Sequence, residues 1–396
     1  MTPSSVLLVT PRWTRDGGVA AHVGVSAAAL AAHGVEVLVA AALIDSEEQI
    51  PGVTLFHAPE LFNAGAPIET RIGEALSARA EVTHLHQVDQ PEIAEALRRT
   101  SPVVISAHGF TACTSGVYYF RPGHECTRAH GVGCVPNLLA RGCAHTRYPK
   151  TLPVKYRNAT RGLAALHHAD LVVSYSSAVD RHLAANGILR RAVVPYFPTM
   201  APKQGSGHET RRRVVFAGRI VRPKGVGVLI RAAREVDGEF LLCGDGRELE
   251  AMRGLAKRLD VEDRVRFAGW LGAEQLATEL AEASVVVMPS LWPEPFGLVG
   301  IEGFAAGRPA VASATGGIGD WLEDGRSGLA VPPGDTRALA RALGELLARP
   351  DRQQQMGLAG KQTVAARFSP ERHVETLLAG YAGARASWRA QRREAA

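Results

Sequence analysis

The most constraining feature of this chain is a repeated cadence: a short apolar run, a polar or glycine-bearing loop, a helical stretch, then the same again. Val6–Thr10 reads as a first strand, with a loop through Gly17-Gly18 and an Ala-rich helix from about Val19 to Ala32. His33-Gly34 closes that helix, and Glu36–Ala42 makes the next strand. Val82–His86, Val103–His108 and Leu171–Tyr175 continue the series. Apolar strands alternating with helices predict parallel sheets covered by helices on both faces, an α/β fold.

The cadence breaks once. Pro195 to Arg213 carries three prolines, two glycines and the polar stretch Lys203–Thr210, without periodicity, as an interdomain linker would. It then restarts with strands at Val214–Ala217, Phe240–Cys243, Val265–Ala268, Val285–Met288, Ala310–Ala312 and Leu329–Val331, and helices such as Val226–Glu235 and Thr336–Leu347. At 396 residues the chain exceeds what one compact core usually holds, so two domains are expected. The predicted organisation is an N-terminal domain over 1–198, a linker over 199–213, a C-terminal domain over 214–367 and a helix over 368–396 available to pack back on the N-terminal domain. Ser369-Pro370-Glu371 starts that helix, with a serine cap, a first-turn proline and an acid near the positive dipole end. Two doubly wound, Rossmann-like domains facing across a cleft are the result.

Composition excludes other classes. With 46% apolar and 21% charged residues and a mean hydropathy near zero, disorder, collagen and coiled coil are out. No apolar run reaches the roughly 18 residues of a spanning helix. Val6-Leu7-Leu8-Val9, ahead of Pro11-Arg12-Trp13, is too short for a signal peptide's apolar core, so a cytoplasmic location with reduced thiols is expected. The net charge of +6 is local: Arg121, Arg128, Arg141, Arg147, Lys150, Lys155, Arg157 and Arg161 face one acid, Glu125, a surplus of +7. Few base-stacking aromatics accompany these cations, chiefly Tyr148 and Tyr156, which argues against nucleic acid. An anionic surface or acceptor, including peripheral contact with the inner face of the cell membrane, is one explanation; a solvated loop is the other.

Ligands of open α/β sheets sit beyond the carboxyl ends of the strands. Arg219 follows the strand Val214–Ala217 and Gly218, and Lys224-Gly225 stands at the mouth of the next helix. An arginine fork, a lysine point charge and free helix N–H groups together form a diphosphate site, although Arg219 alone would read as a surface ion-pair residue. Pro293-Glu294-Pro295-Phe296-Gly297-Leu298-Val299-Gly300-Ile301-Glu302 follows Val285–Met288 and opens a helix. The N–H groups near Phe296–Leu298 are first-turn donors, Gly297 permits close approach, and Glu294 and Glu302 can each accept sugar hydroxyls. Cys243-Gly244-Asp245-Gly246 ends another strand; Leu249 at the third-glycine position argues against a nicotinamide site. Thr315-Gly316-Gly317 offers a further backbone approach.

Together these residues resemble the retaining glycosyltransferases of family 4, with the two-Rossmann GT-B fold. The resemblance runs from about 214 to 350, through Ala217-Gly218-Arg219, Pro223-Lys224-Gly225, Gly244-Asp245-Gly246, Glu294-x7-Glu302, Gly316-Gly317, Gly328-Leu329-Ala330-Val331 and Gly334-Asp335. It implies that Arg219 and Lys224 hold the donor's diphosphate, Glu294 contacts its sugar and Glu302 its ribose. Gly319-Asp320 departs from the family's frequent Pro-Glu. In the first half, Gly17-Gly18 is similar to the family's glycine-rich donor-side loop, and Ala107-His108-Gly109 to the strand end whose histidine reaches the sugar. Ala169–Ser174 also looks like a family element, whereas Pro195-Tyr196-Phe197-Pro198 replaces the frequent Pro-Asn-Gly-x-Asp.

The resemblance implies transfer of a sugar from a nucleotide diphosphate to a glycan, lipid-linked or small-molecule acceptor, with retention by same-face attack. It is the type of reaction used in bacterial cell-surface polysaccharide and glycoconjugate synthesis. No metal and no other cofactor are expected, because Arg219 and Lys224 carry the neutralising charge. Rivals are a nucleotide-sugar epimerase on the same plan and a non-catalytic sugar-nucleotide-binding protein. Cys113, Cys126, Cys134 and Cys143, interspersed with His124, His130 and His145, lack a Cys-x2-Cys pair and read as reduced thiols, with a metal site as the alternative. Donor base, sugar, acceptor, linkage and oligomeric state are not written in the sequence.

Overall fold

A computed structural model describes residues 2–14, 17–45, 49–63, 65–77, 79–88, 90–113, 125–140, 143, 151–203 and 212–394. The chain divides into two units. Met1–Val117, Thr127–Tyr196 and Pro370–Ala396 make the first, and Tyr118–Cys126 with Phe197–Ser369 the second.

The described residues of the first unit build a parallel sheet of β1 (Ser5–Trp13), β2 (Glu36–Ile44), β3 (Val53–His57), β4 (Val82–His86), β5 (Val103–Ala107), β6 (Leu171–Ser174) and β7 (Arg191–Val193). Their order is β3-β2-β1-β4-β5-β6-β7, so the winding reverses between β1 and β4. The central strands β4, β5 and β6 are buried throughout, as strands covered on both faces must be. The edge strands β3 and β7 are absent from the sequence expectations: Val53–His57 carries Val53, Leu55 and Phe56 but is half-exposed, and Arg191–Val193 has three residues. β1 also outruns its expected end, pairing Arg12 with Leu43 and Trp13 with Ile44 of β2. Pro11 is tolerated because β1 pairs with β4 only over Val6–Val9.

The helix Pro370–Glu394 belongs to the first unit. Tyr381 Oη lies 2.7 Å from His84 Nδ1, Arg385 donates to Glu81 at 2.6 Å, and Trp388 Nε1 donates to the Arg98 carbonyl at 2.8 Å. Asp170 is structural here: buried, it accepts a fork from Arg98 and the Val103 N–H, tying the start of β6 to that of β5.

The second unit's described residues build β8 (Arg213–Ala217), β9 (Glu239–Cys243), β10 (Val265–Gly269), β11 (Val285–Met288), β12 (Ala310–Ser313) and β13 (Gly328–Val331), in the order β10-β9-β8-β11-β12-β13. The expected strands all recur within one or two residues. Val214, Phe216, Phe240, Leu242, Val285 and Val287 form the sheet's share of one core, which Leu229, Ile230, Leu343 and Leu346 cover from the flanking helices. The helix Thr336–Leu347 starts where expected, because the Asp335 carboxylate accepts the Ala338 N–H at 2.9 Å. The order reverses between β8 and β11, so loops leaving these neighbours diverge and open a crevice at their carboxyl ends.

Candidate functional site

Two loops meet at that reversal point. The one after β8 carries Arg219 and Lys224, and the one after β11 carries Glu294. Leu291 N–H donates to the Pro223 carbonyl at 2.8 Å, bonding the loops to each other. Gly225 has φ +70°, and a Cβ there would stand 1.8 Å from the Pro289 carbonyl oxygen, so only glycine permits this approach. Gly244 likewise has φ +142° with its Cβ position 2.0 Å from the Gly218 oxygen. The Gly244-Asp245-Gly246 segment therefore serves loop packing as well as any ligand; Asp245 Oδ1 accepts the Gly246 N–H at 2.6 Å.

Glu294 is 2% exposed and forms an ion pair with Lys224 at 2.7 Å. Ser290 and Trp292, neither of which the sequence reading singled out, also donate to it, at 2.5 and 3.1 Å. Ser290 stands four residues ahead of Glu294 on the same loop, where a lone serine carries no sequence signal of its own. Arg219 is exposed and makes no ion pair among the described residues, which leaves its guanidinium available in the crevice.

Beyond Glu294 the chain turns through Gly297, at φ +93°, into the helix Leu298–Ala305. That helix start has no side-chain cap and no acid in its first turn; Gly300 N–H donates to the Gly297 carbonyl at 2.9 Å, and the Leu298 and Val299 N–H groups are the ones a ligand could take. Phe296 is buried, its carbonyl held by Trp321 Nε1 at 2.8 Å. Gly300 packs against the Trp321 ring, which lies 2.2 Å from where a Cβ would be. Gly316-Gly317 fixes the other side, with Gly317 N–H donating to the Glu294 carbonyl at 2.7 Å, while Gly316 N–H donates to the Glu125 carboxylate at 3.0 Å. Glu302 is buried, and burial pushes its carboxyl pKa up, while the hydroxyl and N–H of Thr199 counter that. Thr199 Oγ donates to Glu302 Oε1 at 2.7 Å, a partner the sequence reading placed in the linker.

In the first unit, Gly17 precedes the helix Gly18–Ala32 at φ +89°, after β1. His108 follows β5, but both its ring nitrogens are engaged: Nδ1 with Tyr196 Oη at 2.9 Å, Nε2 with His86 Nδ1 at 3.1 Å. It stacks on Tyr175 at 4.8 Å. His22, His84, His86 and His373 pack into the same buried network, and burial pushes all five imidazole pKa values down, His108 to about 3 and His373 to about 4. The sequence reading found one of these histidines.

Of the basic segment, Arg121, Arg141, Arg147 and Lys150 lie outside the described residues, as do His124 and His145. Arg128 and Arg157 are exposed, and Arg161 is paired with Glu92 at 2.7 Å, which removes part of the surplus. Cys126 and Cys134 are free thiols; among the described residues no three ligating side chains converge on a metal position. No described helix is long and apolar enough to cross a membrane.

The model of the family "Glycosyl transferases group 1" matches residues 201–363, the stretch holding both loops. The second unit is a group 1 glycosyltransferase domain. The chain is 36% identical over 166 residues to the lipopolysaccharide core biosynthesis glycosyltransferase LpsE of Rhizobium meliloti, covering 42% of this chain and 48% of that protein. The match thus spans about half the length of that curated relative. The fold extends over both units: sucrose-phosphate synthase from Thermosynechococcus elongatus superposes with a TM-score of 0.72 at 23% identity, over 94% of this chain and 97% of that one. HepE of Anabaena, solved with UDP and glucose, gives 0.69 at 17%, over 94% and 98%. Two Rossmann-like sheets, one of them a glycosyltransferase domain, constitute the GT-B architecture.

Proposed function

We propose that this protein is a retaining glycosyltransferase that moves a sugar from a nucleotide diphosphate to a glycan, lipid-linked or small-molecule acceptor. The observation that carries the proposal is the Lys224–Glu294 ion pair beside an uncapped helix start, at the reversal point of the second sheet. A cation, a buried carboxylate and free N–H groups converge there, which suits a diphosphate linked to a polyhydroxylated ring. The relative named for lipopolysaccharide core biosynthesis and the neighbour solved with UDP and glucose support a nucleotide-sugar donor and a role in bacterial polysaccharide or glycoconjugate synthesis.

In the reaction the bond between the anomeric carbon and the diphosphate oxygen breaks, and the acceptor oxygen bonds to that carbon on the same face. The acceptor's proton passes to the departing phosphate. Arg219, Lys224 and the Phe296–Leu298 helix start stabilise the charge growing on the diphosphate, in a position where a divalent metal would otherwise serve. Glu294 holds the sugar hydroxyls, Glu302 those of the ribose, and Gly244 and Asp245 border the donor. Both ring nitrogens of His108 are engaged, so a hydrogen bond from it to any ligand requires release of Tyr196 or His86. The enzyme works in the cytoplasm, and its basic segment brings the first unit to an anionic membrane face.

The test is a thermal-shift screen of nucleotide sugars, then turnover of the stabilising donor with a panel of acceptors, in chelator and with added Mg2+. Expected are an acceptor-dependent product whose anomeric coupling matches the donor's and rates indifferent to chelator. An inverted product would overturn retention, and chelator-sensitive turnover would overturn metal independence. Sugar isomerisation without acceptor would favour an epimerase.

A further inference from the structure

Three hydrogen bonds converge on Glu294, and all three land on one oxygen. Lys224 Nζ, Ser290 Oγ and Trp292 Nε1 stand 2.7, 2.5 and 3.1 Å from Oε1. Among the described residues no donor reaches Oε2. The carboxylate is therefore held by one corner, with the other left to accept.

The three donors differ in kind. Lys224 is charged and the other two are neutral. A bound diphosphate carries more negative charge than one carboxylate, so it competes with Glu294 for the Lys224 ammonium. That ammonium has three N–H donors to share, and its hold on Glu294 weakens as the phosphates take them. Ser290 and Trp292 feel no such pull. Ser290 is 1% exposed, on a loop anchored by the Leu291–Pro223 hydrogen bond and by the Gly225–Pro289 contact. The Trp292 ring also lies 5.7 Å from Lys224 Nζ, so one side chain touches both members of the ion pair.

We infer that Ser290 and Trp292 are positioning residues: they fix Oε1 of Glu294 so that Oε2 meets the hydroxyls of the donor's sugar after Lys224 has turned to the diphosphate. The inference rests on the reading of Glu294 as the sugar-contacting residue. It assigns the discrimination of a sugar nucleotide from its bare diphosphate to a three-residue unit rather than to one acid.

Trp292→Phe keeps the ring and removes the N–H; Ser290→Ala removes the hydroxyl. The full-length variants and wild type are titrated calorimetrically with UDP and UDP-glucose, and with GDP and GDP-mannose, and rates are measured with the pair that wild type binds. Thermal unfolding checks that the fold is kept. Loss of one hydrogen bond to a charged group predicts a kcat about ten-fold lower in each variant, with the affinity for bare diphosphate within about two-fold of wild type. The double variant should approach Glu294→Gln in kcat, and the extra affinity that the sugar confers should shrink. Wild-type kcat in both single variants, with wild type active, would overturn the inference and leave the proposed function standing. A fall in bare-diphosphate affinity equal to that in kcat would overturn it too, as general damage to the loop. If wild type bound neither nucleotide, the reading of the site itself would fall, and this inference with it.

Discussion

Both units place polar side chains at the carboxyl ends of buried parallel strands, and they satisfy them in opposite ways. In the second unit the groups are charged and incompletely partnered: Arg219 is exposed, Oε2 of Glu294 has no donor among the described residues, and the helix start lacks a cap. In the first unit they are neutral rings bonded to one another, with His86 Nε2 alone of the β4 ring nitrogens left without a hydrogen-bond partner among the described residues. His84 bridges Tyr381 and Ser106, Ser106 reaches Tyr175, and His108 bridges His86 and Tyr196. A charge cannot be left buried without a partner, whereas neutral rings can close a network among themselves. The second unit thus leaves charged groups open, on the proposed reading for a bound anion, whereas the first keeps its rings neutral.

Acid should separate them most sharply. Each of the five buried histidines has a folded-state pKa below the value near 6.5 of an unfolded chain. Below that value the unfolded chain binds protons that the folded first unit refuses, so stability is full above about pH 6.5 and falls as pH drops. The slope is at most about 1.4 kcal/mol per pH unit for each histidine, and the losses add. Hydrogen exchange read by mass spectrometry from pH 7.5 to 5 should show protection lost first in β4, β5 and the helix Pro370–Glu394. Earlier loss in β8 and β11 would break the comparison.

The same contrast explains what the sequence could say. Arg219, Lys224 and Glu294 sit on loops that follow apolar runs, and Glu302 lies inside the helix that follows, eight residues past Glu294, so local spacing revealed them; β8–β13 were legible because each is an apolar run bounded by loops. His22, His84, His86, His108 and His373 come from three separate elements and the loop after β5, and only the fold brings them together. The edge strands escaped because β3 is only half-buried and β7 has three residues, too few to show a period. Ser290, Trp292 and Thr199 escaped because a single hydroxyl or indole has no pattern until its acceptor is placed.

The two cations should also part company. Lys224→Ala leaves the buried Glu294 carboxylate with neutral donors only, and breaking a buried pair costs roughly 3–5 kcal/mol. The lower end applies, since Lys224 is 20% exposed and Ser290 and Trp292 remain. Arg219→Ala should leave stability within about 0.5 kcal/mol while weakening diphosphate binding by about 1.5–3 kcal/mol. Urea unfolding gives the first quantity and calorimetry with nucleoside diphosphate the second. Equal destabilisation by both substitutions would mean that the ion pair is not the buried anchor described above.

The smallest effect concerns the charge outside both sites. The surplus between Arg121 and Arg161 suits an acceptor on a lipid carrier in an anionic bilayer, but Arg161 already forks onto Glu92, which lowers what remains to bind. Near such a surface each Lys or Arg is worth about 1 kcal/mol. Changing Arg128, Lys155 and Arg157 together to Gln should therefore weaken binding to anionic liposomes by at most about 3 kcal/mol, with no change on neutral ones. Salt should erase the difference, because screening lengths fall from about 10 Å at 0.1 M to about 3 Å at 1 M. Co-sedimentation at the two salt concentrations reads it directly. Equal binding by variant and wild type would make the segment a solvated surface and turn the acceptor search towards soluble glycans and small molecules. The diphosphate affinity of the second unit should be the same in both proteins, since these three cations belong to the first.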